Sequence, residues 1–259
     1  MLEIKDLKIT FAKNTVNERT AIDGINLKLE DGDFLTIIGS NGSGKTTLLN
    51  AILGLVEKQE GTIILDNEDI TKKPSHKIAK DVGVVFQNPL RGTAPNMSIE
   101  ENLALSSAKG KFKLFSNGTS KKNKQKFKDA LSTLNLDLEN RLETNVALLS
   151  GGQRQALTLL MATKEKPKLL LLDEHTAALD PKTAANILEL TNNIVKEKKI
   201  TTIMITHNVK DAINYGNKLV LLNEGKIKLS FNQEEKEKLT VEKILSLYNY
   251  NLPDTQMFN

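Results

Sequence analysis

Asp33-Phe-Leu-Thr-Ile-Ile-Gly39-Ser40-Asn41-Gly42-Ser43-Gly44-Lys45-Thr46-Thr47-Leu-Leu-Asn-Ala-Ile52 joins three kinds of sequence in one short stretch. Phe34 to Ile38 is an apolar run of strand length, and Thr46 to Leu53 carries a helical pattern. The turn between them fits G-x-x-x-x-G-K-[ST] from Gly39 to Thr46, in the strand–loop–helix context that pattern needs. Glycines let successive backbone N–H groups turn inward and form a nest for phosphate oxygens. A helix N-terminus adds roughly half a positive charge aimed at the same point. In such a loop Lys45 reaches the β- and γ-phosphates of a nucleotide, and the Thr46 hydroxyl ligates Mg²⁺. The bland alternative is a glycine-rich turn whose lysine is merely solvated; the flanking strand and helix argue against it.

Bulk properties narrow the field outward from this loop. The chain has 259 residues, 39% hydrophobic and 26% charged, ordinary values for a folded globular protein and long enough for a large core. Its net charge is +4, and arginine occurs only at 19, 91, 141 and 154. So mild a lysine-based excess implies a weak attraction to anionic surfaces and no nucleic-acid partner. No cysteine is present, which excludes disulfides, thiol catalysis and zinc–thiolate sites. The N-terminus lacks a signal-peptide core, and no apolar run approaches the roughly 20 residues that span a bilayer. A soluble, intracellular chain is expected, with any membrane role supplied by a partner.

On either side of the loop the pattern alternates between strand and helix. Leu2 to Phe11 and Ile22 to Leu29 have a period near two, and Asp31-Gly32-Asp33 is a tight turn into the next strand. They predict an antiparallel layer beside the phosphate-binding strand. Gly61 to Leu65, Val82 to Phe86, Lys168 to Leu172 and Ile200 to Thr206 read as further strands, and Lys218 to Leu222 with Gly225 to Leu229 as a closing hairpin. Strands interleaved with helices indicate α/β architecture around a mainly parallel sheet. Residues about 88–160 read as a helical insertion, with a capped helix from Ser98 and a lysine-rich stretch from Lys109 to Lys128 read as a solvated face. Ser150 opens a helix through Thr163, and Asp180-Pro181 caps one reaching about Lys198. A tail from 231 to 259 carries one amphipathic helix, Gln233 to Tyr250, and a frayed end from Pro253.

Several polar residues follow directly on predicted strands: the 39–46 loop, Gln87, Asp173-Glu174 and His207. In an open parallel sheet that edge is where ligands bind, so a nucleotide in the loop meets all of them. Asp173 suits a direct or water-mediated Mg²⁺ contact. Glu174 is placed to polarise an attacking water as general base. Gln87 is a candidate sensor of metal and water, and His207 a donor to the γ-phosphate or an orienter of the base. Phe11, at the end of its strand, reads from the residues as core in preference to a platform for an adenine ring.

Leu149-Ser150-Gly151-Gly152-Gln153, just upstream of Leu169-Leu-Leu-Leu-Asp173-Glu174, resembles the LSGGQ signature of the ATP-binding cassette (ABC) ATPases. The resemblance extends from Phe11 to about Gly225 and implies a P-loop NTPase core with an antiparallel β subdomain and a helical insertion, residues 1–230 in all. It implies that Phe11 stacks on adenine, reversing the reading from the residues alone. It also implies that Gln87 belongs to a loop coupled to transmembrane subunits, that Asp180 belongs to the D-loop, and that His207 is the switch histidine. Catalysis falls to Glu174, His207 and Lys45. Nucleotide binding falls to Phe11, Gly39, Ser40, Asn41, Gly42, Ser43, Gly44, Lys45, Thr46, Thr47, Ser150, Gly151, Gly152, Gln153 and Asp180. Mg²⁺ falls to Thr46, Gln87 and Asp173. The signature forms a second phosphate site facing a partner cassette, so one cassette per chain implies a dimer with two composite ATP sites.

Three departures stand out: His175 where proline is usual, Ala177 where serine is usual, and Arg154 to Thr158 in place of a more basic continuation. None removes a reacting group, but the D-loop's hydrogen bonding across the dimer is put in doubt. The expected function is the ATPase subunit of a membrane transporter at the cytoplasmic face. Its expected partners are permease subunits, a second ATPase subunit and an extracellular substrate-binding protein, and its cargo a small organic solute such as an amino acid. The alternatives are export or lipoprotein extraction, or a soluble cassette protein acting outside transport.

Overall fold

The computed structural model describes residues 1–57, 60–107 and 121–251. Its elements run β1 (Leu2–Phe11), β2 (Arg19–Leu29), β3 (Phe34–Ile38), α1 (Lys45–Ile52), β4 (Glu60–Leu65), β5 (Glu68–Asp69), α2 (Ser75–Ile78), β6 (Val82–Val85), α3 (Ile99–Ser107) and α4 (Lys121–Ser132). They continue with α5 (Gly151–Thr163), β7 (Leu169–Asp173), α6 (Pro181–Lys198), β8 (Thr202–Ile205), α7 (Val209–Asn214), β9 (Lys218–Asn223), β10 (Lys226–Phe231), α8 (Gln233–Lys236) and α9 (Val241–Asn251).

Two sheets divide the work. The first, in the order β2-β1-β4-β5, is antiparallel throughout. The second is six-stranded, β10-β9-β3-β8-β7-β6, with β9, β3, β8, β7 and β6 parallel and β10 antiparallel at one edge. The hairpin expected at 218–229 is present, but its first arm joins β3 in parallel and so extends the central sheet. Alternation along β7 explains why four consecutive leucines occur there. Leu169 and Leu171 enter the core shared with the antiparallel sheet and α1, while Leu170 and Leu172 pack on the other face against α5 and α6. A central parallel strand buried on both faces has no room for polar residues.

Residues 99–160 build a separate apolar cluster in which Phe127 and Leu131 of α4 meet Leu103 of α3 and Ala156, Leu157 and Leu160 of α5. Ser98 and Glu101 form the expected reciprocal cap on α3, at 2.7 and 3.2 Å. The part of the lysine-rich stretch from 109 to 120 lies outside the described residues, as does the end from 252.

The tail differs from its sequence reading. The single helix expected over 233–250 is two, α8 and α9, separated at 237–240. Asn232 and Glu235 close a capping box that starts α8, and Thr240 Oγ1 accepts the Lys243 N–H to start α9. The break lets Leu239 and Ile244 both reach Ile38, Leu219 and Leu221 beneath the central sheet, which one straight helix would not. Among the described residues no helix is long and apolar enough to cross a membrane.

Candidate functional site

β3, β6, β7 and β8 run parallel, so their C-terminal ends open on one edge. Ile38 leads into the Gly39–Thr46 loop, Val85 stands two residues before Gln87, Asp173 ends β7, and Ile205 stands two residues before His207. The expected convergence is therefore real for the strands. A cavity of about 250 Å³ beside the loop is lined by Phe11, Asn41, Gly42, Gly44, Lys45, Thr46, Thr47 and Glu174, all foreseen from sequence, and by Arg19 and Ala21, which were not.

The loop is held by backbone more than by side chains. A Cβ on Gly39 would stand 2.2 Å from the Leu222 carbonyl oxygen of β9. One on Gly44, whose φ is 107°, would stand 2.6 Å from the Ala21 carbonyl oxygen of β2. Only glycine lets the turn lie this close to both sheets. The Gly225 N–H donates to Ser43 O at 2.9 Å, tying the β9–β10 turn to the same loop. Lys45, 6% exposed, donates to its own loop at Gly39 O (2.7 Å) and Ser40 O (2.9 Å). Burial pulls its ammonium below the usual lysine range, and the Glu174 and Asp173 carboxylates pull the other way.

Asp173 shows the converse. Burial raises its carboxyl above the usual range, Glu174 adds to that, and Lys45 and Arg91 oppose it. A cation beside Asp173 would relieve the strain of a buried carboxylate. The oxygen donors Thr46, Gln87 and Asp173 are the hard ligands Mg²⁺ takes, and the buried Ser43 Oγ has no hydrogen-bond partner among the described residues. The residues present therefore fit a magnesium nucleotide. Gln87 is exposed on the loop after β6.

Glu174 sits at φ 45°, in the left-handed region, with its N–H donating to Ile205 O at 3.1 Å. A carboxylate residue in that conformation is uncommon, and such strain clusters at functional positions. His207 Nδ1 lies 3.6 Å from Glu174 Oε2, so the histidine approaches that carboxylate. His175, in the place where proline was expected, is buried and bonded to α6. Thr191 Oγ1 gives its hydrogen to Ile187 O at 2.7 Å, so the 3.2 Å contact with His175 Nε2 requires that nitrogen to donate. Burial pushes this imidazole down to about 4, leaving it neutral.

The remaining foreseen residues form a second group. Ser150 caps α5 by accepting the Gln153 N–H at 3.2 Å, and Gln153 Oε1 accepts the Ser150 N–H at 3.2 Å. Arg141 Nη1 also donates to Gln153 Oε1, at 3.4 Å. Asp180 caps α6 by accepting the Thr183 N–H at 3.0 Å, and the Thr183 side chain first, then this N–H, hold its carboxyl below the usual range. A Cβ on Gly152 would fall 2.4 Å from Thr183 Cγ2, and one on Gly151 3.1 Å from Leu179. Signature and D-loop are thus packed on each other, and none of Ser150, Gly151, Gly152, Gln153 or Asp180 lines the cavity with Lys45.

Known proteins share this sequence pattern and fold. The ABC transporter family profile matches residues 22–177. A tyrosine transport ATP-binding protein of Clostridioides difficile is 46% identical over 96% of this chain and 99% of its own. The spermidine/putrescine import ATP-binding protein PotA of Haemophilus influenzae is 35% identical over 88% of this chain and 56% of its own. Among solved structures, a dimeric post-hydrolysis state of the cassette MJ0796 with ADP and Pi superposes with a TM-score of 0.75, at 27% identity over 90% of this chain and 99% of that one. CbiO1 of Clostridium perfringens, part of the transporter complex cbiONQ, gives 0.77 at 26% identity over 97% and 95%. With a profile match over more than half of its length and a relative 46% identical over 96% of it, the chain belongs to the ABC transporter family and is one of its ATP-binding, ATP-hydrolysing cassettes.

Proposed function

We propose that this chain is the ATPase subunit of an importer of a small organic solute, with an amino acid as cargo, working as a dimer under permease subunits. The observation that carries the mechanism is spatial. Lys45, Thr46 and Glu174 share one cavity, while the signature and D-loop residues lie together outside it. A cassette so divided needs a second copy to finish its site, and the dimeric relative supports that reading. The tyrosine-transport relative, matched over nearly its whole length, supports the class of cargo.

In this reading Phe11 offers its face to the adenine, and the 39–46 loop and the start of α1 hold the phosphates. Lys45 leaves the carbonyls of Gly39 and Ser40 for phosphate oxygens. Thr46, Gln87 and Asp173 hold Mg²⁺, which supplies charge neutralisation on the phosphates when bound. Glu174 takes the proton of the attacking water, and His207, 3.6 Å away, orients that carboxylate. Ser150 and the N–H groups of Gly151 and Gly152 close over the nucleotide of the other subunit. The exposed Leu90, just after Gln87, and Leu148, just before the signature, suit contact with a permease. Gln155 Nε2 donates to Phe86 O at 3.3 Å, so a push at Gln87 reaches α5 directly.

Glu174→Gln tests base and dimer together. ATP turnover, followed by phosphate release, is expected to fall about 10²–10⁴-fold. Size-exclusion chromatography in ATP and Mg²⁺ should show a trapped dimer. A variant that stays monomeric and hydrolyses at the normal rate would remove both assignments.

A further inference from the structure

Arg19 opens β2 directly across from Phe11, its register partner at the end of β1. The two side chains line the same cavity, one aromatic and one cationic. Arg19 Nη2 donates to the Gly42 carbonyl oxygen at 3.1 Å, which lays the guanidinium over the turn of the phosphate-binding loop. The fit is close, because a Cβ on Gly42 would approach Nη2 to 2.9 Å. Among the described residues no carboxylate pairs with Arg19. One of five guanidinium N–H donors is used there, and the rest remain for a ligand.

Charge gives this position its weight. The ionisable residues lining the cavity are Arg19, Lys45 and Glu174. Without Arg19 the lining carries one cation against one carboxylate, with Asp173 close enough to act on Lys45 as a further negative charge. Arg19 therefore offsets one of those negative charges beside the phosphate-binding loop, and a planar fork of donors suits phosphate oxygens.

We propose that Arg19 is a nucleotide-binding residue, a second cation on the phosphate chain beside Lys45 that reaches it from the antiparallel sheet. The inference rests on the ATPase reading above. Binding of ATP, ADP, AMP and adenosine to wild type, Arg19→Gln and Arg19→Lys, measured by calorimetry, separates the two. Arg19→Gln is expected to weaken ATP and ADP about tenfold, AMP less and adenosine not at all, with Arg19→Lys recovering most of the loss. In turnover the KM for ATP should rise with kcat nearly unchanged. Unchanged ATP affinity in Arg19→Gln would overturn the proposal, as would an equal loss for adenosine, which marks a prop for the Gly42 turn. Failure of wild type to bind ATP would overturn the ATPase reading and this inference with it.

Discussion

The loop at 39–46 and the signature-like stretch at 150–153 are both glycine-rich turns leading into a helix N-terminus, yet the protein builds them in opposite ways. The loop is set into the interior. Its glycines face backbone carbonyls of β2 and β9, its lysine is buried, and its strand lies in the main core. The signature lies at the surface. Its serine and Gly151 are exposed, its capping box closes on itself, and Gly152 meets only a threonine side chain. The first is a turn pinned by backbone on two sides; the second is a helix end already capped by its own side chains. The difference teaches that similar local chemistry takes its role from what packs behind it.

Gly39→Ala tests the interior half most severely. Its methyl group would meet the Leu222 carbonyl oxygen and Ser43 Oγ, and neither β9 nor the loop has slack. Overpacking of this kind costs about 3 kcal/mol, read by denaturant unfolding, and ATP affinity should fall at least about tenfold. A normal melt with normal binding would show the loop to be softer than its contacts imply.

The second test comes from beneath the same half. Lys236 of α8 is buried and donates to Tyr215 O, to Gly216 O at 3.0 Å, and to Thr36 Oγ1 of β3 at 3.4 Å. Burial pushes its ammonium down from the ordinary lysine range to about 7. Because the unfolded chain then holds the proton more tightly than the native state, native stability rises with pH across that window and is lowest below its bottom. The stability difference between wild type and Lys236→Met should shift in favour of wild type by up to about 3 kcal/mol between pH 7 and 9.5. A difference flat in pH would mean that the three oxygens hold the proton against desolvation.

Gly152→Ala should have the smallest effect on the fold. The clash is with Thr183 Cγ2, which can rotate, and alanine gains about 1 kcal/mol of helix propensity. Stability should stay within about 1 kcal/mol of wild type and monomeric ATP binding should be unchanged, while ATP-dependent dimerisation, followed by size-exclusion chromatography, weakens. If ATP binding to the monomer fell as far as in Gly39→Ala, the division between interior and surface halves would collapse.

Sequence legibility followed the same line. Short-range chemistry was readable: the caps at Ser98, Ser150 and Asp180, the buried Leu169–Leu172 strand, and the polar residues at strand ends all depend on neighbours within a few positions. Residues whose role depends on distant packing were not. Arg19 is an ordinary surface cation in sequence, and its value comes from a β1–β2 register that places it over Gly42. The one-helix tail failed for a related reason, since nothing local announces that Leu239 and Ile244 must both reach the sheet beneath them, which a break at 237–240 allows.

By itself the sequence determined the phosphate loop, the acidic pair, the signature and the α/β alternation, because each is written in a local spacing or in a strand's period. Only the tertiary structure decided that Glu174 shares a cavity with Lys45, that His207 approaches that glutamate, that His175 is a neutral donor to Thr191, and that the signature stands apart from the loop. The first of these rests on the parallel register of β3, β8 and β7, which brings together residues more than a hundred positions apart. Spacing along a chain fixes which groups are available; only packing fixes which of them meet.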